Sequence, residues 1–252
     1  MSSNVTNINS CLLWEDLKWP EVRPILEKVD DMVILPVGAT EQHGKHLPLG
    51  VDTMTVQAIA KYAAEKTGIP LLPVLSYGCS YGHTSKWPGT LSLSPSTLTS
   101  IVTDIADWLR QSEVRKLAII NGHVGNYAPL KVALENIRYK YPEFLVRIIS
   151  IWEISDDIER YYRSDANDFH ANCAETSMMM ALFPEKVNKS EIIDEVDRTE
   201  GCFFSYAMDK QSTYGVVGKP SQADGKDGEK YFALATSGLI GLLRAAIKEK
   251  IS

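Results

Sequence analysis

Long apolar runs are missing from this 252-residue chain. None approaches the roughly 18 residues that a bilayer span needs, so no membrane partner is expected. Basic charge is also short: 26 Lys and Arg stand against 32 Asp and Glu, for a net charge of -6. A nucleic acid or an anionic surface calls for the opposite balance, so neither is an expected partner. The four cysteines, Cys11, Cys79, Cys173 and Cys202, are far apart and form no CxxC pair. That excludes a disulfide framework or a zinc ribbon and fits reduced thiols in a cytoplasmic protein. Met1 to Ser10 is polar and uncharged, without the basic and apolar regions of a secretion signal. No low-complexity linker or repeat interrupts the chain, which reads as a single domain over residues 1–252. What is present is ordinary for a globular core: 44% hydrophobic and 23% charged residues.

Strand-like runs alternate with helical patterns. Met32 to Val37, Lys116 to Ile120 and Phe144 to Trp152 read as buried strands, and Leu71 to Leu75 as an edge or irregular one because of Pro70 and Pro73. Helices are expected over Thr53 to Lys66, after the Ser94-Pro95 cap, over Asn126 to Tyr141, and from about Glu229 to Lys248. Pro184 to Asp227 reads as loops and short strands. This alternation implies βαβ units, an α/β fold with a largely parallel sheet covered on both faces. Ligands bind beyond the carboxyl ends of such strands.

Two of those ends carry metal-binding chemistry. Glu41, His43 and Asp52 follow the first strand within a dozen residues, and Asn121-Gly122-His123 follows Leu117 to Ile120. In extended chain, positions two apart face the same side, so Glu41 and His43 can share a pocket. Carboxylate plus imidazole suits zinc, manganese or iron. Each residue also has a plainer reading. Glu41 and His43 can be solvated loop groups, Asp52 a helix N-cap, Asn121-Gly122-His123 a tight turn, and Glu175 a partner for a helix dipole. His46 is as consistent with a surface or supporting role as with ligation. His83, beside Trp87, reads as structural, and Met178 to Met180 as core filling. Cys173 has no base among its neighbours and is not expected to be a nucleophile.

The ordered pieces resemble the creatininase family of metal-dependent amidohydrolases. They are Leu35 to Gly44, His46-Leu47-Pro48-Leu49 with Asp52, Tyr77 to Ser80, Pro88 to Leu93, Asn121-Gly122-His123, and His170 with Glu175-Thr176-Ser177. The resemblance implies a three-layer αβα fold, two divalent metal ions per subunit and a homohexamer. It assigns Glu41 and His123 to one ion, His43 to the other and Asp52 as the bridge. Creatinine-hydrolysing members hold the second ion with a glutamate two residues after the NGH histidine, where this chain has Gly125; Glu175 is the substitute. Val124 and Ala166 stand where those members have a tyrosine and a tryptophan. A non-creatinine branch is therefore the expected one.

The resulting expectation is hydrolysis of an amide-type C–N bond in a small molecule, such as a cyclic amide or a formamide. Water held between two divalent ions is the nucleophile. His170 serves as general acid/base because an imidazole titrates near pH 7, and Ser80, by resemblance, as a hydrogen bond to substrate. The glycine-bearing Gly215–Pro220 segment is expected to close over the pocket or touch a neighbouring subunit. Rival readings are a hydrolase of a keto-sugar or lactone, a peptidase of a cofactor precursor, and a metal-stabilised binding protein without turnover.

Overall fold

In a computed structural model that describes residues 12–84 and 86–250, three six-residue strands form a parallel sheet in the order β1-β2-β3. They are β1 (Met32–Val37), β2 (Lys116–Asn121) and β3 (Leu145–Ser150). The register pairs Val37 with Asn121 and Asn121 with Ser150, so the three carboxyl ends lie side by side. Met1 to Ser10 and Cys11 lie outside the described residues.

Beside β1, on the side away from β2, runs the proline-flanked stretch Leu71 to Leu75, an irregular ladder as expected. The amides of Leu72 and Leu75 donate to Ile34 and Pro36 carbonyls at 2.9 and 3.0 Å. Pro36 and Pro73 have no N–H to return, so the ladder breaks into isolated bridges.

A short helix, α1 (Trp19–Leu26), leads into β1, and side chains alternate across the sheet. Val33, Leu35, Leu117 and Ile119 point to one face and pack with Leu98 and Val102 of α3 (Pro95–Gln111) and Leu130 and Ile137 of α4 (Tyr127–Lys140). Ile34, Ala118, Ile120 and Ile149 point to the other, against α2 (Val51–Thr67) and the terminal helix Gly225–Lys248. Three layers result. The sequence reading placed α2 two residues late and ended the third strand two residues too far on; after Ser150 the chain leaves the sheet in a 3-10 turn, Ile151–Glu153.

The terminal helix carries a stretch of mean hydropathy 1.2, long and apolar enough by length and composition to cross a membrane. Thr236, Ser237 and Arg244 interrupt it, so it contains no unbroken apolar run of the length a span would need. One side of it buries Ala235, Leu239 and Leu243 in the core. Pro184 to Asp227 forms turns, isolated bridges and one four-residue helical turn, Met208–Gln211, rather than strands.

Candidate metal centre

Each strand end contributes to one cavity of about 220 Å³. After β1 the chain turns at Gly38 and carries Glu41 and His43 inward; after β2 it delivers His123; after β3, Trp152. Gly38 is required there, because an added Cβ would lie 2.5 Å from the Thr53 backbone. Asp52 stands in the first turn of α2, whose N-cap is Gly50, and its carboxylate makes no capping hydrogen bond. The plainer reading of Asp52 as an N-cap therefore fails. Glu175 stands in the first turn of Cys173–Leu182, capped by Asn172, and its Oε2 accepts from the Ala171 amide at 2.6 Å.

Five predicted residues converge. Asp52 Oδ1 lies 3.4 Å from His43 Nε2, and its Oδ2 lies 3.4 Å from His123 Nδ1. Glu41 Oε2 is 3.2 Å from His123 Nε2, and Glu175 Oε1 is 3.9 Å from His43 Nε2. Two ligand triads able to hold a metal ion share Asp52: Glu41, Asp52 and His123, and His43, Asp52 and Glu175. A third, Glu41, His43 and His170, overlaps them.

The chemistry of these atoms fits cations. Both Glu41 oxygens, His43 Nε2 and Asp52 Oδ2 are buried without a hydrogen-bond partner. Each such group costs on the order of 1–3 kcal/mol if left unsatisfied. Burial raises the Glu41 pKa against the pull of His123, and raises that of Glu175 to about 7 against His43. Burial opposes a charge on His43, but Asp52, Glu175 and Glu41 outweigh it and push its pKa up to about 10. Crowded carboxylates holding a proton on an imidazole are what an ion would relieve. Backbone carbonyls orient both rings: His43 Nδ1 donates to Glu41 O at 3.2 Å and His123 Nε2 to Cys79 O at 3.1 Å. The nitrogens left free, His43 Nε2 and His123 Nδ1, face Asp52.

Gly125 admits no side chain. An added Cβ would fall 2.2 Å from Cys79 O and 2.6 Å from His123 Nε2. Glu175 is the carboxylate on the His43 side of the cluster instead.

His170 and Ser80 also line the cavity. His170 Nε2 donates to the Gln42 carbonyl at 2.7 Å, so Nδ1 is the atom turned to Glu41 Oε1, 3.6 Å away. Burial, then the neighbouring His83 and His43, keeps His170 well below the ordinary imidazole range. The ring is therefore neutral in the ion-free chain rather than titrating near pH 7. Ser80 Oγ lies 3.5 Å from His123 Nε2. His46 is buried but sits behind the cavity, with Nε2 2.9 Å from Thr176 Oγ1.

Some of the site was not anticipated. His83, read as structural, lines the cavity, with Nε2 3.7 Å from Glu41 Oε1 and Nδ1 accepting from Gln42 Nε2 at 3.0 Å. Trp152, Asp168, Tyr206 and Gln211 line it too. Trp152 lies two residues past the third strand and Asp168 two before His170, while Tyr206 and Gln211 carry no signal in the sequence. The Gly215–Pro220 segment is a support rather than a lid. Val217 exchanges backbone hydrogen bonds with His170 at 2.8 and 3.1 Å, and Gly215 packs so closely on Gln42 that a Cβ would meet its Oε1 at 2.0 Å.

A family model described as creatininase, creatinine amidohydrolase, matches residues 15–243. The chain is 30% identical to the creatinine amidohydrolase of Pseudomonas putida, over 91% of this chain and 95% of that one. It is 29% identical to the mycofactocin precursor peptide peptidase of Mycolicibacterium smegmatis, over 84% of each. With the 3-dehydro-scyllo-inosose hydrolase of Thermotoga maritima it shares 26%, over 72% of this chain and 59% of that one. A crystal structure of creatinine amidohydrolase superposes with a TM-score of 0.82 at 29% identity, covering 95% of this chain and 99% of that one. A manganese form of creatininase superposes with a TM-score of 0.81 at 28% identity, over 94% and 99%. The chain belongs to the creatininase family and is a hydrolase of the metal-dependent amidohydrolase type.

Proposed function

We propose that this chain hydrolyses an amide-type C–N bond in a small molecule, such as a cyclic amide or formamide, with two divalent ions held by five side chains. Glu41 and His123 would hold one ion and His43 and Glu175 the other, with the Asp52 carboxylate shared between the two sites. The observation that carries this reading is the set of buried, unpartnered ligand atoms arranged as two triads on one shared carboxylate. Zinc, manganese and iron all suit such donors. When bound, the ions supply Lewis acidity to the substrate carbonyl and lower the pKa of a nearby water.

The chain's own residues do the rest. His170, neutral and with Nδ1 turned inward, takes a proton and returns it to the leaving nitrogen. Gln42 holds that ring in the required tautomer. Ser80 offers a hydroxyl to the substrate from beside His123. Trp152 and Phe169 give the cavity an aromatic wall.

Creatinine is a poor candidate. Gly125, Val124 and Ala166 replace the residues that the creatinine branch uses, and the packing at Gly125 closes its glutamate position. The likeness to an inosose hydrolase favours a cyclic keto-sugar as the second reading, and that to a precursor-peptide peptidase a third. A small-molecule substrate, a cytoplasmic setting and a homohexamer complete the proposal. The test is elemental analysis of anaerobically purified protein joined to a panel of formamides, cyclic amides and keto-sugars with amine detection. Two equivalents of metal and amine release support the reading. Protein that binds no divalent ion, or that cleaves only the keto-sugars, overturns it.

A further inference from the structure

Among the described residues no lysine or arginine lines the cavity, although it holds four carboxylates: Glu41, Asp52, Glu175 and Asp168. The first three belong to the proposed ion ligands. Asp168 does not; it is exposed, near the mouth, and no cation lies within ion-pair distance of it among the described residues. It is nevertheless held. Buried Gln211 donates from Nε2 to Asp168 Oδ2 at 2.8 Å, and both side chains face the cavity. Gln211 is itself fixed, because its carbonyl accepts from the Arg198 amide at 3.1 Å. The carboxylate's other oxygen has no hydrogen-bond partner among the described residues.

We propose that this site selects its substrate by charge: the molecule it cleaves is neutral or cationic, and Asp168, aimed by Gln211, receives its N–H groups. The inference rests on the amide-hydrolase reading and narrows it. Like charges a few ångströms apart repel, and the repulsion is strengthened where the cavity wall displaces water. A substrate carrying a second carboxylate or a phosphate would meet Asp168 with no lysine or arginine among the lining residues, the guanidinium of Arg198 being turned to the Gln211 carbonyl, which its Nε reaches at 3.3 Å. An ammonium, guanidinium or amide N–H would find a preplaced acceptor and form a charge-assisted hydrogen bond. The selectivity lies in one negative group left over after the ion ligands are counted.

The experiment uses zinc-loaded protein and three formamides of matched length: N-(2-aminoethyl)formamide, N-propylformamide and N-formyl-β-alanine. The ammonium and neutral compounds are expected to exceed the carboxylate in kcat/KM by at least tenfold. Asp168→Asn keeps the size of the side chain and an acceptor for Gln211. It should raise KM for the ammonium compound about tenfold relative to the neutral one. A second readout is independent of turnover: calorimetric titration with methylguanidinium, expected to weaken about tenfold in Asp168→Asn. Asp168→Lys should reverse the order and admit N-formyl-β-alanine.

Equal cleavage of all three formamides overturns the charge selection and leaves the hydrolase reading standing. Cleavage of none counts against the hydrolase reading, while the titration still decides on Asp168. Methylguanidinium binding wild type no more tightly than Asp168→Asn removes Asp168 from recognition.

Discussion

The Gln42 carbonyl lies 2.7 Å from His170 Nε2, and this contact decides which nitrogen of the ring the cavity sees. With Nε2 donating to a backbone oxygen, Nδ1 carries the lone pair. The Gln42 side chain reaches the same neighbourhood, donating to His83 Nδ1 at 3.0 Å. One residue next in sequence to two proposed ligands thus sets the orientation of two further imidazoles.

Gln42→Ala leaves that carbonyl in place but removes the side-chain amide that reaches His83 Nδ1 at 3.0 Å and lies 2.9 Å from His170 Nε2. It should reduce kcat by about 10–100-fold, the range for groups that orient metal-site ligands, while the protein keeps its ions. Steady-state kinetics paired with elemental analysis separates the two effects. Unchanged kcat would show that neither imidazole needs the Gln42 side chain.

Ion stoichiometry distinguishes the shared carboxylate from the single-sided one. Asp52→Ala should abolish binding of both ions, because its two oxygens face different imidazoles. Glu175→Gln should weaken one ion selectively and retain the other. Elemental analysis after exhaustive dialysis reads both. Two equivalents retained by Asp52→Ala would refute the bridge.

Ion uptake should strengthen with pH. In the ion-free chain His43 is held protonated up to about pH 10, and Glu175 up to about pH 7. Those protons must leave as an ion enters, so acid opposes uptake and alkali assists it. Chelator competition is expected to give at least tenfold tighter zinc binding at pH 8 than at pH 6. Equal affinities would mean that neither group carries a proton in the apo site.

Restoring the glutamate of the creatinine branch should fail. Gly125→Glu places a Cβ 2.2 Å from Cys79 O and presses on His123. Overpacking of this kind costs about 1–3 kcal/mol. The variant should melt lower and show no creatinine hydrolysis. A stable variant that cleaves creatinine would contradict the packing argument.

Far from the site, Lys116 closes the terminal helix. From the start of β2 its Nζ donates to Ala246, Ile247 and Glu249 carbonyls at 2.8, 3.2 and 3.0 Å, and meets Asp30 Oδ2 at 2.8 Å. Lys116→Met should destabilise the protein by about 2–4 kcal/mol in urea unfolding at pH 7, since it leaves helix-end carbonyls unsatisfied. The Lys116 hydrogen bond holds the Asp30 carboxyl below its ordinary value against burial. Stability from that pair is present above the ordinary carboxylate range and lost as acid titrates Asp30. A wild-type-like unfolding midpoint would dismiss the clamp.

The strands and most helices were legible because their causes are local. Met32 to Val37 is continuously apolar and buried along its whole length, and Ser94-Pro95 caps its helix through Ser94 Oγ and the Thr97 amide at 3.1 Å. The elements misjudged depend on contacts distant in sequence. His83 was invisible as a site residue because it reaches Glu41 only through a loop packed across β1. The Gly215–Pro220 segment looked free from its glycines, yet its partners are Gln42 and His170.

The amino-acid order alone determined the βαβ alternation and put carboxylates and imidazoles at the carboxyl ends of two strands. Both follow from side-chain periodicity and from residues a few positions apart. Folding decided that the two oxygens of Asp52 face different rings, that Glu175 joins His43, and that no side chain fits at Gly125. Those outcomes depend on angles and free volume between segments from about fifty to more than a hundred residues apart, which only close packing around the sheet defines.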